Sequence, residues 1–291
     1  MKKLLALLVI FSLWQVTVSR AQNPAARQAN TRPVLIRAGR LVDVRAGRVL
    51  ENQAILIEGE RIKSVGPAAE VRAPAGARVI DLSRATVMPG FADCHTHVLL
   101  QGDVTAEDYD VQLLKESIPY RTIRATVAAR TALMNGFTAL RDLETEGAMY
   151  ADVDVKTAIN RGVIPGPRMF VSTRAFSATG MYPLSGYSWE LKLPEGVQIV
   201  DGPDNIRRAV REQVKYGADW IKFYADRRYF MKDGALHSWV NFTDDEMEAM
   251  ISEAHRLGRR VAAHAMGREG IEAALRHNAD SIEHGYGLDE E

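Results

Sequence analysis

Residues 243–284 read TDDEMEAMISEAHRLGRRVAAHAMGREGIEAALRHNADSIEH, and their rhythm decides the fold. Thr243-Asp-Asp-Glu246 is a capping box, in which the threonine and the glutamate satisfy the free backbone N–H groups that open a helix. Gly258 stops that helix, and Arg260-Val-Ala-Ala-His264 follows as a short apolar strand. Glu269 to Arg276 predicts the next helix, Asn278 a left-handed cap, and Ser281-Ile-Glu-His284 the next strand. Helix, breaker and strand, repeated, predict parallel strands with helices packed on them.

The same scheme extends toward the N-terminus. Arg121 to Met134 is a helical run closed by Asn135-Gly136, with Phe137-Thr-Ala-Leu-Arg141 as its strand. Asp204 to Tyr216 ends at Gly217 before Trp220-Ile-Lys-Phe223. Strand positions are therefore expected at Phe91–Asp93, Thr138–Arg141, Arg168–Ser172, Trp220–Phe223, Arg260–His264 and Ser281–His284. Residues 33–87 differ: short apolar runs such as Ala54-Ile-Leu-Ile and Arg78-Val-Ile-Asp-Leu alternate with Gly39, Gly47, Gly59, Gly66 and Pro74-Ala-Gly76, which predicts a small antiparallel β domain no larger than half a sandwich.

The 291 residues carry 37 basic and 37 acidic side chains, and no Lys/Arg run forms the stripe that a phosphate backbone requires, so nucleic acid is not an expected partner. Lys2 and Lys3, an apolar stretch from Leu4 to about Val18, and small residues Ser19 and Ala21 before a cut after Ala21 have the layout of a signal peptide over residues 1–21. The alternative is an uncleaved anchor, although the apolar stretch is shorter than the ~20 residues a span needs. A secreted or periplasmic protein is expected, with residues 22–32 a loose lead-in and no stable membrane span after cleavage. Cys94 is the single cysteine, so export brings no internal disulfide.

The chemistry is concentrated in Pro89-Gly-Phe-Ala-Asp-Cys-His95-Thr-His97. Side chains alternate along an extended segment, so His95 and His97 project to one side and can share a metal ion. His264, His284 and Lys222 fall at the ends of predicted strands, and in a parallel barrel those ends converge on one face. Taken singly, His264 is equally a core histidine and Lys222 a salt-bridge partner of Asp226. An ammonium cannot ligate a cation, but a lysine that has lost its proton reacts with carbon dioxide to a carbamate whose two oxygens bridge two metals.

With these residues in view, the chain resembles the amidohydrolase superfamily, in its imidazolonepropionase-like and Xaa-Pro dipeptidase-like branch, from Leu35 onward and including Ile55-Leu-Ile-Glu-Gly-Glu-Arg-Ile-Lys-Ser-Val-Gly66. The resemblance implies an α/β fold, a (β/α)8 TIM-type barrel over residues 88–291 that is incomplete at about six strands, with a small N-terminal β-sandwich domain normally completed from the C-terminus. It implies that His95 and His97 hold the more buried of two divalent ions, zinc for preference, that carboxylated Lys222 bridges, and that His264 and His284 hold the second. Imidazolonepropionase itself uses one metal and has no such lysine, which favours the binuclear peptidase-like members.

The implied reaction is hydrolysis of an amide-type C–N bond in a dipeptide or N-acyl amino acid, a bridging hydroxide attacking the carbonyl. A cyclic-amide hydrolase or heterocycle deaminase is the alternative within the class, and a fragment or pseudoenzyme that only binds metal is the alternative outside it. The aspartate such enzymes carry after strand eight has no counterpart before Glu291, and the chain by itself is expected to be poorly soluble or inactive. Ala178-Thr-Gly180-Met-Tyr182-Pro stands where related dipeptidases often have Gly-Gly-His, and Met266 where they often have tyrosine, so proline specificity does not carry over.

Candidate substrate contacts are Arg141, Tyr182, Tyr224, Arg228 and Tyr229, the last three in a loop expected after Lys222. Arg141 has the rival reading of a salt bridge to Asp142 or Glu144. His237, His255 and His277 are expected to be structural or solvated, and Cys94 to pack within its strand. A homo-oligomer is compatible with all of this.

Overall fold

The computed structural model describes residues 32–102, 106–182, 184 and 186–289. The signal-peptide segment, and the lead-in up to residue 31, lie outside them. The first unit is a four-stranded sheet of β1 (Val34–Asp43), β2 (Arg48–Glu58), β3 (Arg61–Pro67) and β4 (Arg78–Val87), in the order β3-β2-β1-β4. β1 and β2 pair antiparallel, Leu35 opposite Leu56, whereas β1 and β4 pair parallel, Leu35 opposite Val79. The expectation of an antiparallel unit is corrected on that point: the residues between β3 and β4 carry the chain back across the sheet before it runs alongside β1. Leu35, Ala38, Leu41, Ala54 and Ile55 are buried, while Val49, Ile62, Val65 and Val79 lie on exposed surface.

Three residues then lead to β5 (Phe91–Thr96). Among them Gly90 lies so close to Thr138 that a Cβ there would stand 2.2 Å from its Cγ2, so a side chain would push the two strands apart. The chain continues through α1 (Ala106–Leu114), α2 (Ile118–Met134), β6 (Phe137–Asp142), α3 (Ala151–Asn160), β7 (Arg168–Val171), β8 (Phe176–Ser177), β9 (Gln198–Ile199) and α4 (Pro203–Tyr216). It ends with β10 (Trp220–Tyr224), β11 (Asp226–Lys232), β12 (Ala235–Val240), α5 (Asp244–Arg256), β13 (Arg260–Ala265), α6 (Arg268–Arg276) and β14 (Ser281–His284). All six expected strand positions form, as β5, β6, β7, β10, β13 and β14.

β5-β6-β7 make one parallel sheet, and β14-β13-β10-β8-β9 a second, also parallel. The backbone N–H of Asp219 bonds to Val171 O at 2.8 Å and links the entry of β10 to the exit of β7. β5, β6 and β7 in the first sheet and β8, β10, β13 and β14 in the second thus lie side by side in chain order, with β9 on the outer side of β8, and their C-terminal ends share one edge. The capping box at Thr243 is present, Thr243 N–H donating to Glu246 Oε2 at 2.9 Å, and Asn278 takes the left-handed conformation at φ 62°.

Helices α4, α5 and α6 bury Ile206 and Val210, Met247 and Met250, and Ile271 against Ile221, Phe223 and Val261 of the second sheet. Ala125 and Ala129 of α2 and Val155 of α3 cover Leu140 and Met169 of the first. Burial of this apolar surface, at roughly 25 cal/mol per Å², is what holds the strand edges in register. Among the described residues no helix is long and apolar enough to cross a membrane.

The sequence did not announce α1, α3 or the antiparallel hairpin of β11 and β12. The segment read as a loop after Lys222 is corrected accordingly: Tyr224 closes β10, and Arg228 and Tyr229 belong to β11. His237 pairs with Glu269 at 2.6 Å, His255 with Asp280 at 2.7 Å and His277 with Asp244 at 2.9 Å. Cys94 is exposed, which corrects the expectation that it packs within its strand.

Candidate metal centre

β5 delivers His95 and His97 to one side, as alternation requires, and their Nε2 atoms stand 3.2 Å apart. Each Nδ1 already has an oxygen partner: Glu283 Oε2 at 2.8 Å for His95 and the carbonyl of Glu144 at 3.3 Å for His97. An imidazole that donates its Nδ1 proton to oxygen presents a bare lone pair at Nε2. Two such lone pairs facing each other repel unless a cation lies between them. Ligands ~2.05 Å from one ion at a tetrahedral angle would be separated by ~3.3 Å, so the observed spacing fits a shared divalent ion. Burial holds the His97 pKa below the usual histidine range, which disfavours a proton as that cation.

From the second sheet, His264 of β13 and His284 of β14 bring their ring centroids to 4.7 Å of each other, and His284 lies 4.9 Å from His95. The pKa of His264 is pushed far down by burial and by Lys222, and that of His284 to about 4 by partial burial and by His95. Both rings are neutral at physiological pH. Lys222 of β10 is 1% exposed, and among the described residues it makes no hydrogen bond or ion pair. Its rival reading as a partner of Asp226 does not hold, because Asp226 instead accepts the backbone N–H groups of Met266 at 3.0 Å and Gly267 at 2.8 Å. Burial lowers the Lys222 pKa to about 8 despite the nearby Glu144 and Glu283. All five residues picked as ligands therefore meet at the shared strand edge.

The substrate-contact candidates divide. The Tyr182 and Tyr224 rings pack with centroids 4.9 Å apart at an interplanar angle of 58°, the Tyr224 hydroxyl donating to Glu144 at 2.7 Å and that of Tyr182 to Glu146 at 3.1 Å. The Tyr229 hydroxyl lies 2.6 Å from His264 Nε2. Arg228 is exposed and stands 6.0 Å from the Trp239 ring, outside this group. Its neighbour Arg227 is the cation that faces the site, 4.2 Å from the Tyr182 centroid and 4.6 Å from that of Tyr224. Arg141 is committed internally, to Cys94 O at 2.6 Å and Glu283 Oε1 at 2.7 Å, rather than to Asp142, Glu144 or an open pocket.

Glu144, Glu146 and Glu283 were not picked from sequence as parts of the site. His97, Glu144 and Glu146 have potential ligand atoms within 4.8 Å of one another and form a group that could hold a metal ion. Oε1 of the fully buried Glu144 has no hydrogen-bond partner, and burial raises the pKa of that carboxyl. The usable signal was position: two glutamates directly beyond Asp142, the end of β6, at the same sheet edge as the histidines.

Residues 86–290 match the amidohydrolase family. The chain is 31% identical over 269 residues to an ochratoxinase of Aspergillus niger, a match covering 84% of this chain and 53% of the relative. An imidazolonepropionase of Micrococcus luteus is 25% identical over 247 residues, covering 82% and 57%. Among solved structures, a prolidase complexed with N-methylphosphonate-L-proline superposes with a TM-score of 0.76 at 31% identity, over 89% of this chain and 62% of that one. A Xaa-Pro dipeptidase with bound methionine superposes with a TM-score of 0.74 at 30% identity, over 89% and 63%. The chain belongs to the amidohydrolase family. It spans about half the length of the curated relatives it matches.

Proposed function

We propose that this chain carries the metal centre of a binuclear, metal-dependent hydrolase that cleaves amide-type C–N bonds in dipeptides or N-acyl amino acids. The observation that carries the reading is the buried Lys222 amine, which makes no hydrogen bond or ion pair among the described residues, set among four imidazoles. His95 and His97 would hold one ion, His264 and His284 the other. Lys222, with its pKa near 8, is in part a free amine at neutral pH. Its lone pair can attack carbon dioxide, the nitrogen losing a proton to water, to give the bridging carbamate. Two divalent ions so held, zinc for preference, would lower the pKa of a water toward ~7 and polarise the scissile carbonyl.

The chain's own residues do the rest. Tyr182, Tyr224 and Tyr229 wall the mouth with phenolic donors, and Arg227 supplies a positive charge beside two of them. Parallel strands β5, β6 and β7, and β8, β10, β13 and β14, with converging C-terminal ends, support a (β/α)8 barrel as the architecture. Export to the periplasm or outside the cell, on the strength of residues 1–21, completes the proposal.

The test is metal content together with product analysis on a panel of dipeptides, N-acyl amino acids and cyclic amides. Two divalent ions per chain, falling to one or none in Lys222→Ala, and chelator-sensitive release of an amino acid are expected. Turnover that ignores both chelation and Lys222→Ala would overturn the reading; release only from cyclic amides would move the substrate class.

A further inference from the structure

Neighbouring residues on a strand point to opposite faces, yet Glu283 and His284 both enter the site. His284 has φ 74°, a left-handed conformation that a non-glycine residue adopts only where its surroundings enforce it. That break in alternation lets one strand supply a ring beside His95 and a carboxylate against its far nitrogen. Glu283 is 5% exposed and fully engaged: Oε2 lies 2.8 Å from His95 Nδ1, while Oε1 accepts from Arg141 at 2.7 Å and from the Ser281 hydroxyl at 2.6 Å. Arg141 also donates to Cys94 O at 2.6 Å, next to His95, and lies over the Trp220 ring at 4.6 Å.

We propose that Glu283, locked by Arg141, is a positioning residue that fixes the proton of His95 on Nδ1 and turns a bare Nε2 toward the metal. Arg141 has only donors, so it demands an acceptor from whatever stands at position 283 and thereby dictates which atom is left for His95. A carboxylate offers oxygen to both neighbours. A glutamine cannot: with its oxygen on Arg141, its NH2 faces His95 and forces Nδ1 to accept, moving the ring proton to Nε2.

This rests on the proposed metal-binding role of His95, and the test separates the two. Nitrogen-15 NMR of the metal-free full chain at fixed pH, with the His95 signal assigned by its loss in His95→Asn, reads the tautomer directly. The Nδ1–H form is expected in the native chain, the Nε2–H form in Glu283→Gln, and Nδ1–H again in Arg141→Met/Glu283→Gln, where the amide is free to turn. Zinc affinity, by chelator competition, should fall about 10- to 100-fold in Glu283→Gln and recover in the double variant and in Glu283→Asp. An unchanged tautomer in Glu283→Gln overturns the proposal even if zinc binding falls. If the native chain binds no divalent ion, the metal-centre reading fails while the tautomer result still decides the role of Glu283.

Discussion

The Nε2 atoms of His95 and His97 face each other at 3.2 Å while each ring's Nδ1 is held by an oxygen. In the metal-free chain this contact is unfavourable, and a divalent ion converts it into a favourable one. Zinc at a hundredfold excess over its dissociation constant should therefore stabilise the fold by about 3 kcal/mol. The Tm should rise on adding zinc and return on chelation, and His95→Ala/His97→Ala should abolish most of the rise. Equal melting curves with and without zinc would count against the site.

Lys222 gives a pH signature. Its folded pKa, about 8, lies below the unfolded value of 10.5, so the unfolded chain binds the extra proton between those limits and stability rises with pH across them. Well below pH 8 both states are protonated and the full cost of burying the ammonium, about 3 kcal/mol, is present. Urea unfolding of the metal-free chain at pH 7.5 and 9.5 should show a steeper gain for the native chain than for Lys222→Met. Parallel pH dependences would contradict the depressed pKa.

Gly270 sits against the carboxylate that anchors the turn after His264. A Cβ at this position would lie 2.4 Å from Asp226 Oδ2, which accepts from Met266 and Gly267. Gly270→Ala should cost about 1–3 kcal/mol by overpacking, read as a lower urea midpoint. It should also weaken zinc binding through His264; a variant with native midpoint and affinity would show that the turn has slack.

Phe223 is fully buried in the second sheet, with its ring 6.2 Å from Phe242. Truncation to alanine leaves a cavity that α5 and the sheet cannot close, so Phe223→Ala should lose about 3–5 kcal/mol. A loss under 1 kcal/mol, by thermal or urea unfolding, would mean that the helices repack.

The parallel strands were legible because their signals are local: a capping box at Thr243, a left-handed Asn278, and apolar runs closed by His264 and His284. The clustering of the five candidate ligands was legible because period-two alternation and a common strand edge are enough to bring distant residues together. The role of Arg141 was not, because its partner Glu283 is remote in sequence, and no propensity signals the left-handed backbone that turns His284 to the same side as Glu283. Arg227 was passed over for Arg228 for a similar reason. The irregular pairing between Arg227 and Phe230 of β11 decides which of the two arginines turns toward Tyr182. The β1 and β4 pairing was missed because apolar alternation does not reveal strand direction.

The small sheet contributes no side chain to the metal centre, yet it sets where that centre begins. β4 is hydrogen-bonded to β1 up to Val87, and β5 opens at Phe91. Of the three residues between, Pro89 has a fixed φ and Gly90 is pressed against Thr138. That joint has almost no play, so a one-residue slip of β4 along β1 would drag His95 and His97 with it. The sheet works as a mechanical stop for His95 and His97, and substitutions far from them, along the β1 and β4 seam, should be felt as errors of alignment between these two rings and the rest of the cluster.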